Sequence, residues 1–158
     1  MLLPEFLARG SVWVAMAGWT VGCIADRRSA VAARFAFLLA WVAFAVHIVL
    51  TFDVFYNWSW AKGWDETARI TAEVTGLASG IGLIVNFLFF AVLSIDLWFR
   101  WRGRRWIHSL ALLILIAFMI LNGAVIFADG PVRWFGCILL IALLIGAIRR
   151  SPSVGKLG

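Results

Sequence analysis

Five long apolar stretches alternate with polar breaks along the chain: Phe6–Ala25, Val31–Phe52, Leu77–Phe99, Ile107–Ala128 and Val132–Ile148. A helix needs roughly 20 such residues to cross about 30 Å of hydrocarbon. The pattern therefore predicts an all-α integral membrane protein, a five-transmembrane-helix bundle forming one domain over residues 1–158. Two breaks, Asp26–Ala30 and Asp129-Gly130-Pro131, read as tight turns, the second because Gly relaxes φ and Pro cannot continue a helix. A third break, Arg100–Trp106 (RWRGRRW), is strongly basic.

The break Asp53–Gly76 is too long for a plain turn. Its first half is aromatic (Phe55, Tyr56, Trp58, Trp60, Trp64) and reads as a segment lying in the membrane interface. Its second half predicts a helix from Asp65 as N-cap, with Glu66 in the first turn. Ile70, Val74 and Leu77 make an apolar stripe, Thr67, Thr71, Thr75 and Ser79 a hydroxyl ridge, and Arg69 has Asp65 and Glu73 four residues away on either side. Such a helix either turns its polar side to water or roofs the bundle, with carboxylates and hydroxyls pointing inward.

Composition narrows the class. Apolar residues are 64% of the chain, charged residues 14%, and the mean hydropathy is +0.98. Soluble domains run near half apolar and a quarter charged, so a soluble enzyme or a nucleic-acid-binding domain is excluded. The net charge of +6 is then read through the positive-inside rule. Arg27, Arg28, Arg34, Arg100, Arg102, Arg104, Arg105, Arg149, Arg150 and Lys156 gather on one side of five alternating spans, against Arg9, Lys62, Arg69 and Arg133 on the other. This predicts the N-terminus outside and the C-terminus cytoplasmic, in a plasma membrane of the bacterial inner-membrane kind, with the loop between spans two and three outside. Tryptophans agree: Trp13, Trp58, Trp60, Trp64 and Trp134 fall at the outer level, Trp98, Trp101 and Trp106 at the inner. Thr20-Val21-Gly22-Cys23 faintly resembles a lipoprotein cleavage site, but cleavage there would leave Arg27, Arg28 and Arg34 outside, so span one is expected to be retained. Cys23 and Cys137 then lie near opposite faces, too far apart for the roughly 7 Å between Cα atoms that a disulfide allows. Small residues mark expected helix contacts: Gly18-xxx-Gly22, Gly76-xxx-Gly80, Gly82, Gly136 and Gly146.

Polar groups inside spans are costly and are the natural site candidates. His47, Asn86 and Asn122, with Asp53 and Glu73 just above them, fall in or over the outer half of the bilayer and suggest an outward-facing polar pocket. Each also has a plain structural reading, an interhelical bond for an Asn or a bond to a backbone carbonyl for His47. The six-residue spacing of Asp53 from His47 puts them on different helix faces, against a proton relay. Bis-histidine haem fails because His47 and His108 lie at opposite faces. A retinal-type lysine is missing from every span, and zinc lacks ligands beyond His47 and nearby carboxylates. No HExxH, CxxC, GxSxG or phosphate-loop pattern occurs, so no cofactor or metal is expected. Asp96 precedes Arg100 by four residues and is expected to pair with it. Arg102, Arg104 and Arg105 are expected to meet anionic lipid headgroups at the inner face, each worth about 1 kcal/mol.

The pattern favours a non-enzymatic accessory subunit of a larger membrane complex, or a homo-oligomer. Two alternatives stand beside it. One is a small transporter or ligand sensor with a pocket around His47, Asn86 and Asn122, for which no inverted repeat is evident. The other is a membrane-embedded enzyme using His47 with the carboxylates of the outer loop.

Overall fold

The computed structural model describes residues 3–26 and 28–148; the charge assignments made for Arg27, Arg149, Arg150 and Lys156 lie outside the described residues. Every regular element among the described residues is helical: α1 (Leu3–Ala25), α2 (Ala30–Val54), α3 (Trp60–Thr75), α4 (Ile81–Trp101), α5 (Ser109–Ile120) continuing into a π-helical turn (Leu121–Ile126), and α6 (Pro131–Ile148). Five of these, α1, α2, α4, α5 with its π turn, and α6, are long and apolar enough to cross a membrane, which fits a multi-pass membrane protein.

α1 and α2 form a closely packed antiparallel hairpin. Close approach is possible because Gly18 faces Ala40, where an added Cβ would lie 2.9 Å from the alanine methyl, and Gly22 faces the Phe37 ring. Ser29 caps α2 by accepting a bond from the Ala32 N–H at 3.2 Å. Trp19 stands at the centre, edge-on to Phe44 at 5.1 Å and to Phe89 at 4.9 Å, so that α1, α2 and α4 share one aromatic core. α1 also packs on α5 and α6, and α6 lies along the π turn with Gly136 against Ala124.

α4 and α5 behave differently. The short turn between them is stitched at its base, where the Ile107 N–H donates to Asp96 Oδ1 at 3.2 Å. Away from that turn their backbones scarcely approach each other. They open like a V, and α3 packs on α4 at the open end.

The long loop differs from its sequence reading in three places. The helix begins at Trp60 with Ser59 as N-cap, not at Asp65. Asn57 and Trp58 both take positive φ (48° and 57°), which reverses the chain in one turn and frees the next residues to be helical. Gly76 at φ 77° ends α3 as a left-handed cap, its N–H bonded to the Ala72 carbonyl at 2.9 Å. α4 therefore starts at Ile81, so Leu77 lies outside any helix and is exposed. The Gly76-xxx-Gly80 pair is a pair of helix ends and not a packing motif: a Cβ on Gly76 would meet open space, whereas one on Gly80 would run into the Trp64 indole.

Candidate functional site

The V between α4 and α5 holds a cleft of about 400 Å³. α4 contributes Val85 and Asn86, the α5 and π segment Phe118, Asn122 and Gly123, and α3 closes the end with Thr67 and Thr71. Every residue lining it is uncharged. A smaller cavity of about 100 Å³ adjoins it between α2 and α4, lined by His47 and Thr51 among others. Tyr56, Thr67 and Asn86 line both, so they form the wall between the two spaces.

Asn86 is the sixth residue of α4, about 8 Å along the helix at 1.5 Å per residue, shallower than mid-span. Its side chain is exposed and makes no hydrogen bond within the described residues, so it does not tie two helices together. Asn122 is half-buried, and its Nδ2 donates to the Phe118 carbonyl one turn back at 2.8 Å, again within its own helix. Its backbone carbonyl accepts from the Phe127 N–H at i+5, the wide ladder of a π turn. The interhelical reading of the two asparagines therefore fails, and both present amide groups to the cleft.

His47 sits one cavity away. One ring nitrogen, Nδ1, lies 2.7 Å from the Ala8 carbonyl. A carbonyl only accepts, so Nδ1 carries the proton and the neutral ring keeps Nε2 as an acceptor. The ring stacks on Phe44 at 5.9 Å and pins α2 to α1. Thr51, one turn on, has a buried hydroxyl oxygen with no partner at the same cavity.

The two carboxylates expected beside these groups are elsewhere. Asp53 is exposed and accepts a bond from the Trp58 indole at 3.0 Å, closing the turn that precedes α3. Glu73 is exposed and pairs with Arg69, which also holds Glu66 at 2.6 Å. Asp65, expected to be Arg69's partner, takes no part in either pair. Of the polar side chains of α3, the hydroxyls of Thr67 and Thr71 line the cleft and the carboxylates do not. Thr67 and Thr71 face the cleft while donating to the carbonyls of Gly63 and Thr67. The Tyr56 phenol titrates above its usual range because it is half-buried and because Glu66 is nearby. It stays protonated at neutral pH and can donate. The bond from Arg69 keeps the Glu66 carboxyl below the usual range.

At the other end of the bundle the arginines are not equivalent. Arg100 is buried at 5% exposure, with Nε 2.5 Å from Asp96 and Nη1 2.9 Å from Asp26. Its guanidinium lies 4.5 Å over the Phe37 ring. Arg105 also reaches Asp26, and it donates to Ser109. Arg102 stacks on Trp98 at 4.3 Å, and Arg104 makes no side-chain bond within the described residues. Cys23 is buried and Cys137 half-buried, and neither forms a disulfide. Among the described residues no group of three His, Cys, Asp or Glu side chains could hold a metal ion. No family model, curated protein or solved structure matches this chain.

The sequence pattern had already pointed to His47, Asn86 and Asn122. It missed Tyr56 as a lining residue and the π turn at Asn122. Only the hydroxyl ridge of α3 signalled that part of the site, and its direction could not be read from spacing alone.

Proposed function

We propose that this chain is a membrane binding protein that holds an uncharged amphiphile in the cleft between α4 and α5, head group toward α3 and hydrocarbon toward the lipid. The observation that carries this reading is the unpartnered amide of Asn86 on a membrane-length helix whose Ser94, Asp96 and Arg100 side chains all have partners. A polar group facing hydrocarbon without a partner costs several kcal/mol, on the order of 2–7 by transfer measurements. A ligand with a neutral polar head supplies that partner. Asn122, Thr67, Thr71 and Tyr56 stand around the same space with donors and acceptors and no charge. An ionised head group would meet no counter-charge there, which favours hydroxyl, carbonyl or amide heads. A cleft between two membrane-length helices offers a molecule dissolved in the bilayer a route of entry. In this reading the α3 end faces outward and the arginine end faces the cytoplasm, as the distribution of Lys and Arg favours.

The glycines that pointed toward an accessory or oligomeric role are used inside the chain. Gly18 meets Ala40, Gly22 meets Phe37, Gly136 meets Ala124 and Gly146 meets Ile24. They lend no weight to a subunit interface. His47 and the outer carboxylates do not share a site, which removes support from the membrane-enzyme reading.

The test is extraction of the full chain in a neutral detergent, followed by native mass measurement and analysis of co-purifying lipid. Wild type is expected to retain a neutral amphiphile. Asn86→Leu, which removes the amide, and Gly123→Leu, which fills the cleft from a position with open space around it, are expected to lose it. Equal retention by all three proteins, or a retained ligand that is uniformly charged, would overturn the proposal.

A further inference from the structure

The arginine end encloses a second, chemically opposite space. A cavity of about 70 Å³ lies there, lined by Asp26, Ala30, Arg34, Arg100, Arg104 and Arg105, with Gly103 in the turn. We infer that it is a binding site for a phosphate group, carried by a phospholipid headgroup or free in solution.

Three donors converge on this cavity without acceptors. Arg100 is buried, its Nε and Nη1 are taken by Asp96 and Asp26, and its Nη2 is buried with no partner. Buried polar groups are nearly always bonded, so an orphan guanidinium nitrogen on a residue that lines the cavity calls for an acceptor. Arg34 is half-buried, Arg104 is exposed at the rim, and neither makes a side-chain bond within the described residues. Ala30 opens α2, a 25-residue helix with no acidic residue in its first turn, and a helix start favours an anion.

The charges set the ligand class. Four arginines line the cavity against two carboxylates, Asp26 and Asp96, and both are already occupied, Asp26 by Arg100 and Arg105 and Asp96 by Arg100. An anion therefore enters a positive space. Guanidinium forks from several directions suit a tetrahedral oxyanion, whose oxygens can each accept more than one bond. The volume admits a phosphate-sized group. Arg105 braces the wall through Asp26 and Ser109, and Arg102 is held against Trp98 and does not line the cavity. The expectation that Arg102, Arg104 and Arg105 act together on lipid is thereby redrawn around Arg34, Arg100 and Arg104. The site lies at the opposite end from the cleft and does not rest on the proposal made for it.

The test uses the full chain, delipidated in dodecyl maltoside, with the thermal unfolding midpoint as readout. One arm titrates inorganic phosphate against chloride at constant ionic strength. The other titrates short-chain phosphatidate against diacylglycerol of the same chains. At least one phosphate source is expected to raise the midpoint where its control does not. A response to phosphatidate alone assigns the headgroup, and a response to inorganic phosphate assigns a soluble ligand. The apparent affinity is expected to fall at least tenfold in Arg34→Gln/Arg104→Gln and to stay within twofold in Arg102→Gln. If the double variant does not fold, Arg104→Gln alone takes its place, with a loss of at least threefold expected. No midpoint shift with either source, or unchanged affinity in the Arg34 and Arg104 variants, would overturn the assignment.

Discussion

Arg100 is held by two carboxylates that come from distant parts of the chain, Asp26 after α1 and Asp96 within α4. Asp96 in turn accepts the Ile107 N–H, so one cluster joins the α1–α2 turn, α4 and the start of α5. Removing one partner of such a buried set strands the other charges, which costs about 3–5 kcal/mol. Arg100→Met is therefore expected to lower the unfolding free energy by about that amount in detergent. Arg69→Ala, by contrast, breaks pairs that are largely exposed to solvent, and should leave the thermal midpoint nearly where it was. Equal effects from the two variants would show that the cluster does not anchor the fold. Tyr56 offers a second residue-level check, because it is the only tyrosine in the chain. Its proton is held more tightly in the folded state, so the folded form is favoured below the ordinary phenol pKa near 10 and loses that advantage as pH rises through the raised value. A tyrosinate absorbance titration is expected to show a midpoint above 10 in the folded protein. The midpoint should return to about 10 on unfolding and move down in Glu66→Gln. A folded midpoint at or below 10 would contradict the half-buried position of the phenol.

The π turn and α6 make a matched pair of tests at the scale of elements. A Cβ on Gly136 would lie 2.7 Å from the Ala124 methyl, too close for real atoms, so Gly136→Ala must push α6 off the π turn. Overpacking of this kind costs about 1–3 kcal/mol. Gly123, the residue just before Ala124, has open space around it, so Gly123→Ala is expected to be neutral or to gain up to about 1 kcal/mol from helix propensity. Thermal unfolding of the two variants decides, and destabilisation by both would mean that the cleft beside Gly123 is filled. The same region shows where sequence reading stops. The apolar spans and both tight turns follow from hydropathy and from Gly–Pro chemistry, and they agree with the structure to within a few residues. The π turn left no trace, because Asn122 and Gly123 are the only breaks in the apolar run from Leu110 to Ala128 and ladder width is not written in hydropathy. Ser59 and Asp65 are equally good N-caps by type. The choice between them was made by the positive φ of Asn57 and Trp58, which neither residue advertises. That His47, Asn86 and Asn122 are polar groups within apolar spans was legible, but not their facing, which for Asn86 and Asn122 depends on how far α4 and α5 splay.

The whole molecule is chemically polar along its long axis. One end carries a cleft lined only by neutral groups, the other a cavity lined by four arginines. If the chain sits as the Lys and Arg distribution favours, the neutral cleft opens toward the outer leaflet and the arginines meet the cytoplasmic leaflet, where anionic lipids concentrate. The ion pairs around Arg100 do not weaken this inference, because orientation follows Lys and Arg near the span ends and not net charge. Thiol labelling reads the orientation directly. In a Cys23→Ala/Cys137→Ala background, Lys62→Cys on α3 is expected to react with a membrane-impermeant maleimide added to intact cells. Arg104→Cys, in the turn after α4, is expected to react only after permeabilisation. Lys62 and Arg104 are both exposed and neither makes a side-chain bond within the described residues, so the substitutions leave the packing untouched. The reverse labelling pattern would place the neutral cleft beside the cytoplasmic leaflet and the arginine cavity outside. A cytoplasmic phosphate compound could then no longer reach it, and only a lipid of the outer leaflet or an external anion could fill the site.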